Sequence, residues 1–279
     1  MSGDTPRIVV TNDDGIDSPG LRVLASALSD WFEVVVAAPG SDMSGAGTGI
    51  GRFHPDKGVD MKKVTIDDGF TAYAIDGPPG LAVTAAALGV FGPKPDMVVS
   101  GINAGINTGH SIIHSGTVGA ALTARTFNMK GLAISLAQSD PWHWETAARY
   151  VPQAARWLVQ RREQPQVLNI NVPGVPEEDI AGVHWADLDE VGYIRVATHD
   201  IDGQRLQLVV GPIDDRSDPG SDTVLCSENY VTVTPLQTVE PGPFPDVEVR
   251  AIFDTPVSST PLDLLPPQRH HQDVGHRSR

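Results

Sequence analysis

Cysteine is almost missing from this chain: Cys226 is the single one among 279 residues. One thiol makes neither an intramolecular disulfide nor a thiolate-rich zinc centre, and a reducing cytoplasm is the expected compartment. Positive charge is also scarce, with 20 Lys and Arg against 35 Asp and Glu, a formal net charge of −15. A general binder of nucleic-acid polymers needs a basic surface to displace counterions, so that class is excluded. A small phosphorylated ligand, held locally by a metal and backbone N–H groups, is not. Long apolar runs are absent as well. Met1 to Arg7 is polar and leads directly into a strand-forming stretch, so neither a signal peptide nor a membrane span is expected. What is present is 40% hydrophobic residues over a length that supports a large core, either one large domain or one domain with an appendage.

The first patterned stretch is IVVTNDDGIDSPGL, Ile8 to Leu21. Four strand formers run into Asn12-Asp13-Asp14-Gly15, and Ser18-Pro19 opens a helical pattern carried by Leu21, Val23, Leu24, Ala27 and Leu28. Glu33 to Ala38 reads as a buried strand, which makes a parallel pair with a right-handed crossover. A loop with five glycines follows, Pro39 to Gly51. Val59 to Ile75 predicts two short strands around Asp67-Asp68-Gly69 at an edge. Leu81 to Leu88 predicts a helix, and Asp96 to Ser100 a third buried strand. That strand delivers GINAGINTGHSIIHSGTVGAALTA, Gly101 to Ala124, the densest polar run of the chain. Asn103 and Asn107 are the side chains there that could reach inward. Ser115-Gly116-Thr117 starts a helix whose unpaired N–H groups suit an anion.

Gly131 to Ala137 and Val167 to Val172 are the fourth and fifth strands, separated by an amphipathic helix from Trp142 to Arg161 with Pro152 expected to kink it. Beyond them the rhythm changes. Tyr193 to His199 and Arg205 to Val210 flank Asp202-Gly203 as a hairpin, Tyr230 to Thr234 is a further strand, and from Ser258 periodicity is lost. The reading is an α/β fold, a Rossmann-like parallel-sheet core with helices on both faces over residues 1–180. A β-rich extension at 181–257 would carry an oligomerising hairpin and a strand returning to the core, and 258–279 would be a disordered tail.

In a parallel sheet the polar clusters Asn12 to Gly15, Ser41 to Gly45 and Gly101 to Asn107 all follow strands and therefore share one edge. Asp13, Asp14, the Ser44 hydroxyl and the Asn103 carboxamide form an all-oxygen set suited to Mg²⁺, Mn²⁺ or Ca²⁺ and poor for zinc or copper. Two anionic ligands leave coordination positions for water and a phosphate oxygen, as metal-assisted hydrolysis requires.

TNDDGIDSPG, a proline-led loop containing SG, SGINAGINTG followed by HSGTVGAAL, then LNINVP and YVTVTPL together resemble the SurE (survival protein E) family of metal-dependent 5'/3'-nucleotidases, in the same order from about Ile8 to Leu236. The resemblance implies a divalent cation, removal of phosphate from nucleoside monophosphates and in some members from short polyphosphate. It also implies a homodimer or homotetramer built through an exchanged hairpin. By motif position it assigns Asp13, Asp14, Ser44 and Asn103 as metal ligands, with Asp13, Asp14 and Asn103 catalytic. Asn12, Asn107, Ser115, Gly116 and Thr117 fall at its phosphate contacts. The general base stays open, with Asp13 one candidate; His110 and His114 are the candidate proton donors. The sequence departs from the family at Gly40 (usually Asp), at Ala46 to Gly51, at Gly77-Pro78-Pro79 (usually Gly-Thr-Pro), at His110 (often acidic) and at Asn229 (often Gly). These departures bear on nucleoside specificity and leave room for a paralogue with another phosphate ester. A non-catalytic nucleotide-binding module is the second alternative, and a sugar-nucleotide glycosyltransferase using Asp13-Asp14 the third. A serine-hydrolase elbow is excluded by Ile113, where glycine is required two residues before Ser115, and dinucleotide chemistry by the lack of a glycine fingerprint after the first strand.

Overall fold

Ile8, Val9 and Val10 are an unbroken run of β-branched residues that favours extended pairing, and they lie in β1 (Arg7–Thr11) in the interior of the sheet. The computed structural model describes residues 5–52, 56–66, 70–162, 166–190, 199–201, 205–207 and 217–239. After β1 come α1 (Pro19–Ser29) and β2 (Glu33–Pro39), then the edge pair β3 (Met61–Thr65) and β4 (Thr71–Ile75), and α2 (Pro79–Ala87). β5 (Met97–Ala104), α3 (Gly116–Thr126), β6 (Lys130–Leu136), α4 (Trp144–Gln160) and β7 (Val167–Val172) complete the alternating part. β8 (Gly182–Trp185), β9 (His199–Ile201), β10 (Arg205–Gln207), α5 (Asp222–Ser227) and β11 (Tyr230–Leu236) follow.

Among the described residues nine strands form one sheet in the order β3-β4-β2-β1-β5-β6-β7-β11-β8. The six strands from β4 to β7 are parallel throughout. β3 is antiparallel to β4, and β11 is antiparallel to β7 while β8 runs parallel to β11. The chain moves outward from β1 to β2 and β4 on one side, then returns to lay β5, β6 and β7 on the other. The carboxyl ends of β1 and β5 therefore flank the point where strand order reverses, the crevice in which α/β sheets collect ligands.

Alternate residues of the strands face opposite ways, and that alternation builds two cores. Ile8, Val10, Val36 and Val99 pack with Leu21, Leu24 and Leu28 of α1 and Val151 and Leu158 of α4. Val9 and Ala37 pack with Ala82 and Ala86 of α2, and Val98 with Val83 of α2 and Ala120 and Ala124 of α3. Helices thus cover both faces. Ser18 caps α1 by accepting the Leu21 N–H at 3.3 Å, with Pro19 at the first helical position where a missing N–H costs nothing. Among the described residues no helix is long and apolar enough to cross a membrane.

The expected core strands and helices are present, with differences that have physical causes. β5 continues past Ser100 to Ala104, and its pairing with β6 shifts between Ser100 and Asn103: three steps on β5 match two on β6. That bulge re-aims the strand end. β8 and α5 were not anticipated. β8 is four residues long and largely exposed, and α5 is a six-residue helix capped by Ser221, so neither is long enough to show a period. Of the expected hairpin, β9 pairs with β10 from His199↔Gln207 to Ile201↔Arg205. Its remaining residues, the Asp67-Asp68-Gly69 turn and the tail 258–279 lie outside the described residues.

Candidate active site

The turn after β1 is held from inside. The Asn12 amide donates to the Gly15 carbonyl at 3.1 Å and to the Ser18 hydroxyl at 2.6 Å, and its oxygen accepts the Gly15 N–H at 3.2 Å. Asn12 is fully buried, so it shapes the turn and does not line the cavity beyond it. The turn in turn presents Asp13 and Asp14.

Asp13 is buried, and its carboxylate accepts the hydroxyl of Thr117 in the first turn of α3. The same hydroxyl lies 3.4 Å from the Asn103 side-chain oxygen, so one group touches both and the β1 and β5 ends meet. Gly116 is what allows α3 to approach: a Cβ there would stand 2.7 Å from Asp13 Oδ2 and 2.8 Å from its Cβ. The Asn103 amide nitrogen donates to the Gly105 carbonyl at 2.7 Å, which turns its oxygen toward Thr117. Asp14 accepts a single long bond from the Ala104 N–H, at 3.3 Å. Burial first, then the neighbouring charges of Asp13 and Asp42, push its carboxyl up to about 6 against that N–H.

The glycine loop after β2 closes a third side. Met43 N–H donates to the Asp13 carbonyl at 2.8 Å and Gly47 N–H to the His114 carbonyl at 3.1 Å, which ties the loop to both neighbours. Ser44 donates its hydroxyl to Asp42 at 2.6 Å and its N–H to the same oxygen at 2.8 Å. These two bonds hold the Asp42 carboxyl below its ordinary value. With its proton so committed, the Ser44 oxygen keeps lone pairs for a cation.

Asp13, Asp14, Ser44, Asn103, Asn107 and Ser115 line one cavity of about 210 Å³, with Ser111 and His114 at its wall. Three stretches distant in the chain thus converge as the shared sheet edge required. Ser115 caps α3 by accepting the Val118 N–H at 3.2 Å, and the Gly116 and Thr117 N–H groups precede the first intrahelical bond, Gly119 N–H to Ser115. The Thr117 side chain is spent on Asp13, so only its backbone remains for an anion.

Sequence reasoning missed what grips Asn107. Asn171 accepts its N–H at 2.7 Å and donates to its carbonyl at 2.8 Å; Asn169 donates to the same carbonyl at 2.9 Å, and the Asn107 amide donates to Ser135 at 2.9 Å. Two asparagines spaced i, i+2 in an otherwise apolar strand were the available signal, since that spacing puts both on one face. Asp222 was also missed. It takes the Gly109 N–H at 3.0 Å and the Asp189 N–H at 3.1 Å, anchoring the loop from behind.

Both carboxylates of the β1 turn therefore lie together with little compensation. Among the described residues no three His, Cys, Asp or Glu side chains gather in a metal-holding group, and the other side-chain oxygens of the cavity wall are neutral. Ser44 and Asn103 are such oxygens, and the set fits a hard divalent cation.

The family model described as Survival protein SurE matches residues 8–195. The chain belongs to the SurE family. Among SurE relatives, the 5'-nucleotidase SurE of Methylococcus capsulatus is 38% identical over 239 residues, covering 82% of this chain and 90% of that one. The 5'-nucleotidase SurE of Chloroflexus aggregans is 36% identical over 236 residues, covering 82% and 92%. The crystal structure of the SurE protein from Aquifex aeolicus superposes with a TM-score of 0.68 at 29% identity, covering 83% of this chain and 93% of that one. The Cys226 thiol is buried and pushed up to about 12 by burial and then by Asp222, and it is not among the residues lining the cavity.

Proposed function

We propose that the chain is a divalent-metal-dependent phosphomonoesterase that hydrolyses nucleoside 5'-monophosphates, and 3'-monophosphates, to nucleoside and phosphate. Short polyphosphate is a further substrate in this reading. The observation that carries it is the under-compensated Asp13-Asp14 pair, facing the same cavity as Ser44, Asn103 and the start of α3. Relatives bearing the name 5'-nucleotidase SurE support the same activity.

Asp13, Asp14, Ser44 and Asn103 would hold one Mg²⁺ or Mn²⁺ per subunit. Bound there, the cation supplies an acidified water and offsets charge on the phosphoryl oxygens. The remaining work falls to the chain itself. Gly116 and Thr117 N–H groups, aided by the α3 dipole, bind the non-bridging oxygens, and they are in place before the substrate arrives. Asn107, a lining residue held at its backbone by Asn169 and Asn171, orients the phosphate. Thr117 fixes the Asp13 carboxylate. Assembly into a homodimer or homotetramer through the β9–β10 hairpin and residence in the cytoplasm belong to the same reading. The single buried cysteine supports the compartment.

Released phosphate decides the matter. Purified protein is incubated with 5'- and 3'-nucleoside monophosphates, p-nitrophenyl phosphate and tripolyphosphate, with EDTA or with added Mg²⁺ or Mn²⁺. Release that requires metal and stops with EDTA is expected. No release from any substrate would overturn the proposal in favour of a binding module.

A further inference from the structure

We propose that His114 is the general acid that protonates the leaving nucleoside oxygen, an inference that rests on the phosphomonoesterase reading above.

Elimination along the cavity wall leads to it. Asp13 and Asp14 are the anionic ligands, and a bound cation keeps them deprotonated. The Ser44 hydroxyl proton points to Asp42 at 2.6 Å, and that of Ser111 to the Thr108 carbonyl at 2.8 Å. Ser115 Oγ is held at the α3 cap by the Val118 N–H. Asn103 and Asn107 carry amides, which do not exchange a proton at neutral pH in a chemical step. His114 is the remaining polar side chain of the described lining, and imidazole is the side chain whose ordinary titration falls near neutrality.

Its placement also suits the task. The His114 carbonyl accepts the Gly47 N–H at 3.1 Å, and the next residue caps α3, so the backbone bearing the imidazole is fixed between two loops of the site. His114 is an exposed residue that also lines the cavity, so it meets both the bound phosphate ester and solvent water. His110 starts the same 3-10 turn (His110–His114). Four residues at three per turn leave the two side chains roughly 120° apart, so they do not face the same way. His110 is outside the cavity lining, its N–H bonded to the Asp189 carbonyl at 3.0 Å.

In the step, the attacking water oxygen forms a new bond to phosphorus while the ester P–O bond breaks with its electron pair on the nucleoside oxygen. The imidazolium N–H of His114 passes its proton to that oxygen, and the proton lost by the attacking water reaches solvent, from which the imidazole is reprotonated. Ester and water become alcohol and phosphate.

The dependence on the leaving group tests this. A nucleoside alkoxide is a strong base that must be protonated as it leaves; p-nitrophenolate leaves without help. With saturating Mg²⁺ or Mn²⁺, His114→Gln is expected to lower kcat/KM for a nucleoside 5'-monophosphate about 100-fold. For p-nitrophenyl phosphate the loss is expected to stay below about 3-fold, which also reports that the variant is folded. Equal losses on both substrates, no loss on the nucleotide, or a leaving-group-selective loss in His110→Gln instead would each overturn the assignment. If the unaltered protein releases phosphate from neither substrate, the phosphomonoesterase reading itself falls, an outcome distinct from these.

Discussion

Two pairs of buried or half-buried carboxylates stand on either side of the Gly101–Ser115 loop, and they are kept in opposite ways. Asp222 and Asp189 are almost wholly enclosed. Burial pushes the Asp222 carboxyl upward, but backbone N–H groups of Asp189, Gly109 and Thr223 pull against it, and Asp189 accepts the Ser221 hydroxyl at 3.0 Å. Asp13, buried, and Asp14, half-buried, both line the cavity and have one hydroxyl and one long N–H between them among the described residues. Carboxylates stitched by backbone donors hold a fold together. Carboxylates that line a cavity and are left short of donors retain lone pairs for something that arrives later. Local chemistry, more than residue type, separates the pair bonded into the fold from the pair that lines the cavity.

Exchanging the two roles by mutation is the strongest way to break that comparison. Asp13→Asn removes a ligand without changing shape, and metal-dependent phosphate release is expected to fall about 1000-fold. Its Tm in EDTA should stay within a few degrees of the parent. Asp222→Ala should do the reverse. It leaves the Gly109 and Asp189 N–H groups without their acceptor at about 1–3 kcal/mol each, so Tm should drop by roughly 10 °C. Activity per folded molecule should fall no more than about 10-fold, because only the loop's support is lost. Thermal melts and phosphate release on both variants check this; an inactive, fully stable Asp222→Ala would contradict it.

The meeting of Asp13, Asp14, Ser44 and Asn103 at one cavity was legible in the sequence because buried parallel strands read as unbroken apolar runs, and polar residues just past their ends must share an edge. Their placement needed only that rule. The supports did not follow from it. Asp222 meets Gly109 across 113 positions of chain, and α5, which presents it, is too short to announce itself. Asn12 and Thr117 were read as phosphate contacts by motif position, whereas their side chains bond to Ser18 and Asp13. A motif tells that a polar residue is near a site, but which way it points depends on partners many residues away. The grip of Asn169 and Asn171 on Asn107 likewise required the neighbouring strand to be placed first.

A smaller effect sharpens the comparison through proton linkage. Asp14 titrates at about 6 in the folded metal-free protein against an ordinary value of 3.8. Between those values the folded chain holds a proton that the unfolded chain has released. Stability contributed by this group is therefore lost as pH rises through about 4 to 6. Asp14→Asn abolishes the change, so in EDTA its Tm relative to the parent should climb across that window and level off above it. Saturating Mg²⁺ should restore the parent's advantage by neutralising the pair. Parallel Tm curves for the two proteins in EDTA would show that Asp14 is not strained by its neighbour.

The smallest expected effect comes from Asp42, which is satisfied in the manner of Asp222 but lies at the surface. Its carboxylate accepts both the N–H and the hydroxyl of Ser44, and those bonds lower its pKa, so what stability it adds is present above the ordinary carboxyl range and fades as pH falls below it. Solvent screens such an exposed group, and Asp42→Asn should change unfolding free energy by less than about 0.5 kcal/mol. The consequence should appear in ligation instead. A carboxamide accepts the Ser44 hydroxyl more weakly, the Ser44 oxygen is less firmly aimed at the cavity, and the Mg²⁺ concentration for half-maximal activity should rise a few-fold while the maximal rate is kept. A fall in maximal rate at saturating Mg²⁺ would instead place the Asp42 carboxylate itself among the reacting groups, and make the glycine loop a third carboxylate of the site in place of a support for Ser44.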